Sequence, residues 1–306
     1  MIDTLLVARS PDARNLPAFV LLLSRKAEMA HGVNFMKIRC GFDIAFECPQ
    51  PTPMILMLSV HPSRLDDLLS PQHFSFSPHV LHRDYYDTYG NICTRILAPP
   101  GLLEIRTDFL IHDTGEPDAV APDAAQHRVE DLPDDVLVYL LGSRYCDTEH
   151  LLDIAWREFG HLRGWPLVQA IVDFTHRRIT FGYQHACATR TAFGGYNDRI
   201  GVCRDFAHLA ITLCRCMNVP ARYCTGYLGD IGVPRDPAPM DFSAWFEVYL
   251  GGRWYTFDAR HNRPRIGRIV MARGRDATDV ALATAFGPNR LARFEVVTDE
   301  VLEDAA

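Results

Sequence analysis

Cys203 is the residue in this chain best placed for chemistry. It stands in GVCRDFAHLAITLCRCMNVP, between a glycine at 201 and a proline at 220, and opens a stretch with helical spacing over about 203–217. Cys203, Phe206, Ala210, Leu213 and Met217 fall on one face of that helix, which must be buried. A thiol at a helix N-terminus feels the positive end of the macrodipole, which favours the thiolate. Free N–H groups of the first turn are also suited to hold a developing oxyanion. Position alone is equally compatible with a small buried residue at a helix start.

A second group of residues lies on a hairpin, SAWFEVYL-GG-RWYTFDAR. A two-residue Gly251-Gly252 loop sets Leu250 opposite Arg253, Glu247 opposite Thr256 and Trp245 opposite Asp258. Ser243, Trp245, Glu247, Trp254, Thr256 and Asp258 then share one face. Ala244, Phe246, Val248, Tyr255 and Phe257 form the other, which must be core. Ser243 and Asp258 become diagonal neighbours, about 7–8 Å apart at the backbone. The alternative is a solvated outer face, but an aspartate in so aromatic a strand argues against it.

Other chemistries lack their residues. No HExxH, GxSxG, GxGxxG or CxxC occurs, and the two lysines, Lys26 and Lys37, follow no glycine-rich phosphate loop. Cys214 and Cys216 are about 200° apart around a helix and cannot share an ion. His185 and Cys187 have no second ligand pair, so no metal is expected. His208 points away from Cys203 and reads as a core or interface histidine. The formal net charge of −7 argues against nucleic acid or an anionic membrane as partner. Nine widely spaced cysteines form no disulfide pattern and suggest a reducing, cytoplasmic setting with mostly buried thiols. The longest apolar stretches are too short to span a bilayer.

The elements that must position these residues follow from periodicity. Residues 17–23, PAFVLLL, are apolar but lack a clean cleavage site, and 1–35 is expected to be an N-terminal appendage. From Met36 to 113 the pattern alternates, with turn residues Gly90-Asn91, and predicts antiparallel strands as in a sandwich. Residues 114–135 read as a linker. Helices are predicted over 148–159 and 166–178, a loop at Gly194-Gly195, and a strand over ARYCTGYL. The expected organisation is an appendage (1–35), a β domain with linker (36–135) and an α+β core domain (136–306).

GVCRDFAHLAI, PARYCTGYL, AWFEVYL and WYTFDAR, in that order, resemble the transglutaminase-like superfamily, in particular its bacterial group described as candidate cysteine proteases. The resemblance extends over nearly the whole chain from about Met36, with YDTYGN similar to that group's N-terminal β domain. It implies an α+β fold in which an antiparallel, sandwich-like β domain precedes a papain-like transglutaminase core. The family's triad is a cysteine at a helix start, a histidine before Ala-Trp, and an aspartate on the next strand. Carried over, Cys203 is the nucleophile and Asp258 the orienting carboxylate. Ser243 occupies the position of the histidine, a departure at the general base.

Three accounts of that departure are open. His261, three residues after Asp258, serves as base if the chain bends after Ala259, since a continued strand would point it to the wrong face. Alternatively the thiol acts without imidazole, helped by the helix terminus and by Arg204 or Glu247. In the third account the site is silent and the protein a binding module. The resemblance implies acyl transfer through a Cys203 thioester on a peptide or protein amide, to water or an amine, with no cofactor. Trp245, Glu247 and Tyr227 are expected to line the substrate cleft.

Overall fold

The computed structural model describes residues 36–302; the expected appendage, 1–35, lies outside them. Fourteen strands are described: β1 Met36–Cys48, β2 Thr52–Leu56, β3 Ser75–Ser77, β4 His82–Tyr86, β5 Ile92–Ala98, β6 Gly101–Asp113, β7 Thr180–Phe181, β8 Ile200–Gly201, β9 Ala221–Leu228, β10 Ser243–Leu250, β11 Arg253–Phe257, β12 Arg268–Gly274, β13 Ala283–Ala285 and β14 Arg290–Glu300. The α-helices are α1 Asp134–Leu137, α2 Thr148–Phe159, α3 Gly164–Arg178, α4 Ala192–Asp198 and α5 Cys203–Cys216. The predicted strands and the three long helices are present within a few residues. The predicted Gly194-Gly195 loop is instead inside α4, whose start is capped by the Thr191 hydroxyl accepting from Gly194 N–H at 3.2 Å.

Two antiparallel sheets, ordered β14-β1-β6-β3 and β13-β2-β5-β4, form the N-terminal layers. Alternation along β1 and β6 buries Ile38, Cys40, Phe42 and Ile44 against Leu103, Ile105, Phe109 and Ile111. At Gly41 a Cβ would lie 2.7 Å from the Thr107 carbonyl oxygen, so only glycine fits β1 this close to β6. The last strand, β14, returns to pair antiparallel with β1, from Ile38 opposite Glu300 to Glu47 opposite Arg290.

A third sheet, ordered β11-β10-β9-β12, carries the hairpin. The register is the expected one, with Leu250 opposite Arg253 and Glu247 opposite Thr256, and both loop glycines have positive φ, 56° and 86°. One face of this sheet, Ala244, Phe246, Val248 and Phe257, packs on α5 and α3 in one core. The ends of β9 and β12 contribute Tyr227, Ile269 and Met271 to the core of the N-terminal sheets, and the other face carries a small buried cluster of Cys224, Trp245 and Val270. The sheet is therefore buried on both sides.

A polar clamp joins the β4–β5 turn to this sheet. Buried Asn91 donates from Nδ2 to the Arg273 carbonyl at 2.7 Å and accepts the Arg273 N–H at 2.8 Å, while Asp87 accepts from Nδ2 at 2.8 Å. Asn91→Ala leaves that buried backbone unpaired and is expected to lower stability by about 2–3 kcal/mol in urea unfolding. A change under about 0.5 kcal/mol would contradict this role for the clamp.

Candidate active site around Cys203

Cys203 opens α5 because the chain before it cannot continue the helix. Val202 is extended (φ −111°, ψ 177°), and its N–H donates to the Asp205 carboxylate at 2.8 Å. That carboxylate, buried and held by Arg190 at 3.2 Å, lies over Gly201, where a Cβ would come 2.6 Å from Asp205 Cβ. Gly201 and Asp205 thus fix the start of the helix together. Asp205 went unremarked in the sequence, although an acidic residue three positions after the cap is a legible signal.

Cys203 is partly exposed and lines two hollows. One, about 60 Å³, also touches Tyr183, Ser243, Arg260 and His261. The other is a cleft of about 570 Å³ bounded by Arg144, Arg204, Ser243, Ala244 and Val280. Burial pushes the Cys203 thiol up to about 11, although Arg260 and the N–H groups of Ala244 and Arg204 favour its charged form. This departs from the thiolate expected from the helix terminus: the desolvation of a pocketed sulfur outweighs it. The other partly exposed thiol is Cys187, lowered chiefly by its hydrogen bond with Thr189; the remaining seven are buried.

The bend that His261 requires is present. The β10–β11 ladder ends at Phe246 opposite Phe257, so Trp245 has no partner at Asp258. The chain turns over 259–261, closed by Asn262 N–H donating to the Asp258 carbonyl at 2.8 Å, with Asn262 at φ +50°. Helix α3 pins this turn: Asn262 Nδ2 donates to Asp173 at 3.0 Å and His176 Nδ1 meets the Ala259 carbonyl at 3.0 Å.

Asp258 is buried and receives four hydrogen bonds: the Arg260 and His261 N–H groups at 3.0 Å each, His261 Nδ1 at 2.8 Å and Arg268 Nη2 at 3.0 Å. Burial opposes its charge, but Arg268 and His261 hold the carboxyl well below the usual range. An ionised acceptor at Nδ1 requires the proton there, which leaves Nε2 of the neutral ring as a free base. Arg268 is itself oriented by Asp118 at 2.9 Å and stands 5.0 Å over the Trp245 ring. Arg268, ten residues from Asp258, had no sequence signal.

Ser243, opposite Gly226 on β9, is buried with its Oγ unpaired and lines both hollows. Trp245, Glu247 and Tyr227 line neither hollow, a placement that differs from the cleft expected for them. Glu247 is paired with Arg222, Nε at 2.6 Å, and Arg273, Nε at 3.2 Å, and Tyr227 packs between Phe109 and Phe242. Trp245 and Glu247 lie on the face turned away from α5, and Tyr227 lies at the end of β9 in the core of the N-terminal sheets. Arg204 borders the larger cleft and donates to the Cys187 carbonyl. His208 is a core histidine, stacked on Tyr145, with Nε2 accepting the Ala277 N–H at 3.1 Å.

Because Asp258 titrates well below the usual range when folded, its contribution to stability is present in full above about pH 5, begins to fall near the unfolded-chain value of about 3.9, and is lost as pH drops through the lower folded value. The unfolding free energy should decline from about pH 5 downward, most steeply below about pH 4, and Asp258→Asn should show a shallower decline; an equal slope would remove Asp258 from that linkage.

Residues 165–259 match the family model of the transglutaminase-like superfamily. A solved structure from Cytophaga hutchinsonii, named as a candidate cysteine protease, is 29% identical and superposes with a TM-score of 0.76 over 89% of this chain and 93% of that one. Uncharacterised proteins of Mycobacterium leprae and Mycobacterium tuberculosis (strain H37Rv) are 35% identical over 88 residues and 33% identical over 128. These matches cover 26% and 38% of this chain, and the chain spans 30% and 40% of those relatives' lengths. Among the described residues no helix is long and apolar enough to cross a membrane. The chain thus carries, at 165–259, a segment that matches the transglutaminase-like superfamily, within a fold similar to that of the Cytophaga hutchinsonii protein.

Proposed function

We propose that the protein is a cysteine-dependent acyl-transfer enzyme in which Cys203, His261 and Asp258 form the triad. The observation that carries this reading is the His261–Asp258 hydrogen bond at 2.8 Å, with the same imidazole lining the hollow that Cys203 and Ser243 border. His261 takes over the role that the family assigns to the residue at Ser243. The turn after β11, rather than β10, supplies the base.

The thiol, pushed up to about 11 by burial, rests protonated. Nε2 of His261 takes the proton as sulfur attacks the amide carbonyl, and Asp258 stabilises the imidazolium that forms. The N–H groups of the first turn of α5 face the oxyanion. The imidazolium then gives its proton to the leaving amine, and a thioester remains on Cys203. Water, deprotonated by the same Nε2, or a second amine releases the acyl group. The substrate class is a peptide or protein amide, with hydrolysis favoured over transamidation. A catalytically silent binding module is the second reading, favoured by the unpaired Ser243 hydroxyl at the family's base position.

His261→Ala should lower amide or ester hydrolysis about 10²–10⁴-fold, and Ser243→His should not restore it to the wild-type level. Restoration by Ser243→His alone would return the base to β10, and no hydrolysis by wild type on a broad peptide library would favour the binding module. The second-order rate of iodoacetamide labelling at Cys203, mapped by peptide mass spectrometry, should climb steadily between pH 6 and 10. A rate plateau below pH 6 would instead indicate a preformed thiolate–imidazolium pair.

A further inference from the structure

The larger cleft beside Cys203 holds two cations, Arg144 and Arg204, and one carboxylate, Asp241. Arg144 and Arg204 both line it, and both face the ring of Tyr145, with Cζ 5.4 and 5.2 Å from its centroid. Tyr145 cannot move aside: it is stacked on His208, its hydroxyl donates to the Ala188 carbonyl at 2.8 Å, and its N–H donates to Asp276 at 2.8 Å. Both guanidinium groups are therefore set around one fixed ring.

Neither charge is closely paired with a carboxylate. Arg144 is exposed and has no ion pair among the described residues. Arg204 has its Nε buried and unpaired. Its one ion pair is a long one, Nη2 to Asp205 Oδ1 at 3.8 Å, while Oδ2 of that carboxylate is taken by Arg190 and the Val202 N–H. The carboxylate that lines the cleft, Asp241, also lines the smaller hollow, which it shares with Cys203 and Arg260. The wall between is of small apolar side chains, Ala188, Ala277 and Val280 among them. Such a cleft fits a chain with an amide at one end and a carboxylate at the other, because guanidinium groups pair with carboxylates in a bidentate, directional way.

We propose that this cleft selects amide substrates carrying a carboxylate, a glutamate or aspartate side chain or a peptide C-terminus, and that Arg144 and Arg204 recognise it. The proposal rests on Cys203 being the nucleophile. It accounts for a positively charged pair inside a protein of net charge −7.

The test compares two alkylating agents of similar size, iodoacetate and iodoacetamide, on the full chain at about pH 8.5 and low ionic strength. Cys203 is scored apart from Cys187 by peptide mass spectrometry. The iodoacetate-to-iodoacetamide rate ratio is normalised to that of N-acetylcysteine. The normalised ratio should be roughly tenfold above one, fall at least about threefold in Arg144→Gln and further in Arg144→Glu, and collapse towards one in about 0.5 M salt. A ratio unchanged in both Arg144 variants, or lost only in Arg260→Gln, overturns the proposal while leaving the thiol reading intact. Failure of wild-type Cys203 to react with iodoacetamide at all overturns both. Protection of Cys203 by a C-terminally amidated glutamate peptide assigns the side-chain carboxylate. Protection only by the free-acid glutamine peptide assigns the terminal one, and protection by neither overturns the proposal.

Discussion

The arrangement around Cys203 depends on one buried carboxylate. Asp258 accepts hydrogen bonds from two backbone N–H groups, one imidazole and one guanidinium, and so ties the end of β11, the turn after it and the start of β12 into a single unit. An ionised carboxylate without those partners would cost several kcal/mol to bury. The turn is held as well by α3, through Asn262 on Asp173 and His176 on the Ala259 carbonyl. Arg268 makes the arrangement tolerable, and Asp118 and Trp245 hold Arg268 in place.

Covering both faces of the β11-β10-β9-β12 sheet has a second consequence. A hairpin face with tryptophan, glutamate and aspartate would be amphipathic in isolation. Within the fold it becomes interior, and its charges must be neutralised there. Glu247 is matched by Arg222 and Arg273, and Arg222 stacks on Trp254 at 4.0 Å. The polar residues of that face therefore divide by position along the strands: those at the far end stabilise the layer contact, and those near α5 border the thiol. Ser243 belongs to the second group, and its lone hydroxyl marks where a larger, titratable side chain would point into the same hollow.

The environment of the thiol also has two sides. The hollow towards His261 carries Arg260 and Asp241, and the cleft on the other side carries the Arg144–Tyr145–Arg204 group. Sulfur sits between them at the start of α5, in surroundings that favour the neutral thiol at rest. In the reaction proposed above, such a thiol needs a correctly oriented base rather than a strong local field, so the orientation of His261 counts for more than the helix terminus.

The strands of 36–113, the helices at 148, 164 and 203, the hairpin and its register were all legible in local periodicity and in the Gly-Gly loop, because each is set by residues close in sequence. Cys203 and Asp258 were legible for the same reason, one at a helix start and the other at a strand end. The return of β14 to β1 was not, because it joins residues more than 240 positions apart and leaves no local pattern. Nor was the burial of Trp245, Glu247 and Tyr227, which follows from tertiary packing. The three accounts of the missing histidine could not be ranked from sequence, since a bend after Ala259 depends on contacts from α3 and on Arg268. Local spacing determined which side chains could do chemistry; tertiary packing decided which imidazole meets the carboxylate, because orientation across a turn is fixed by the partners that pin it.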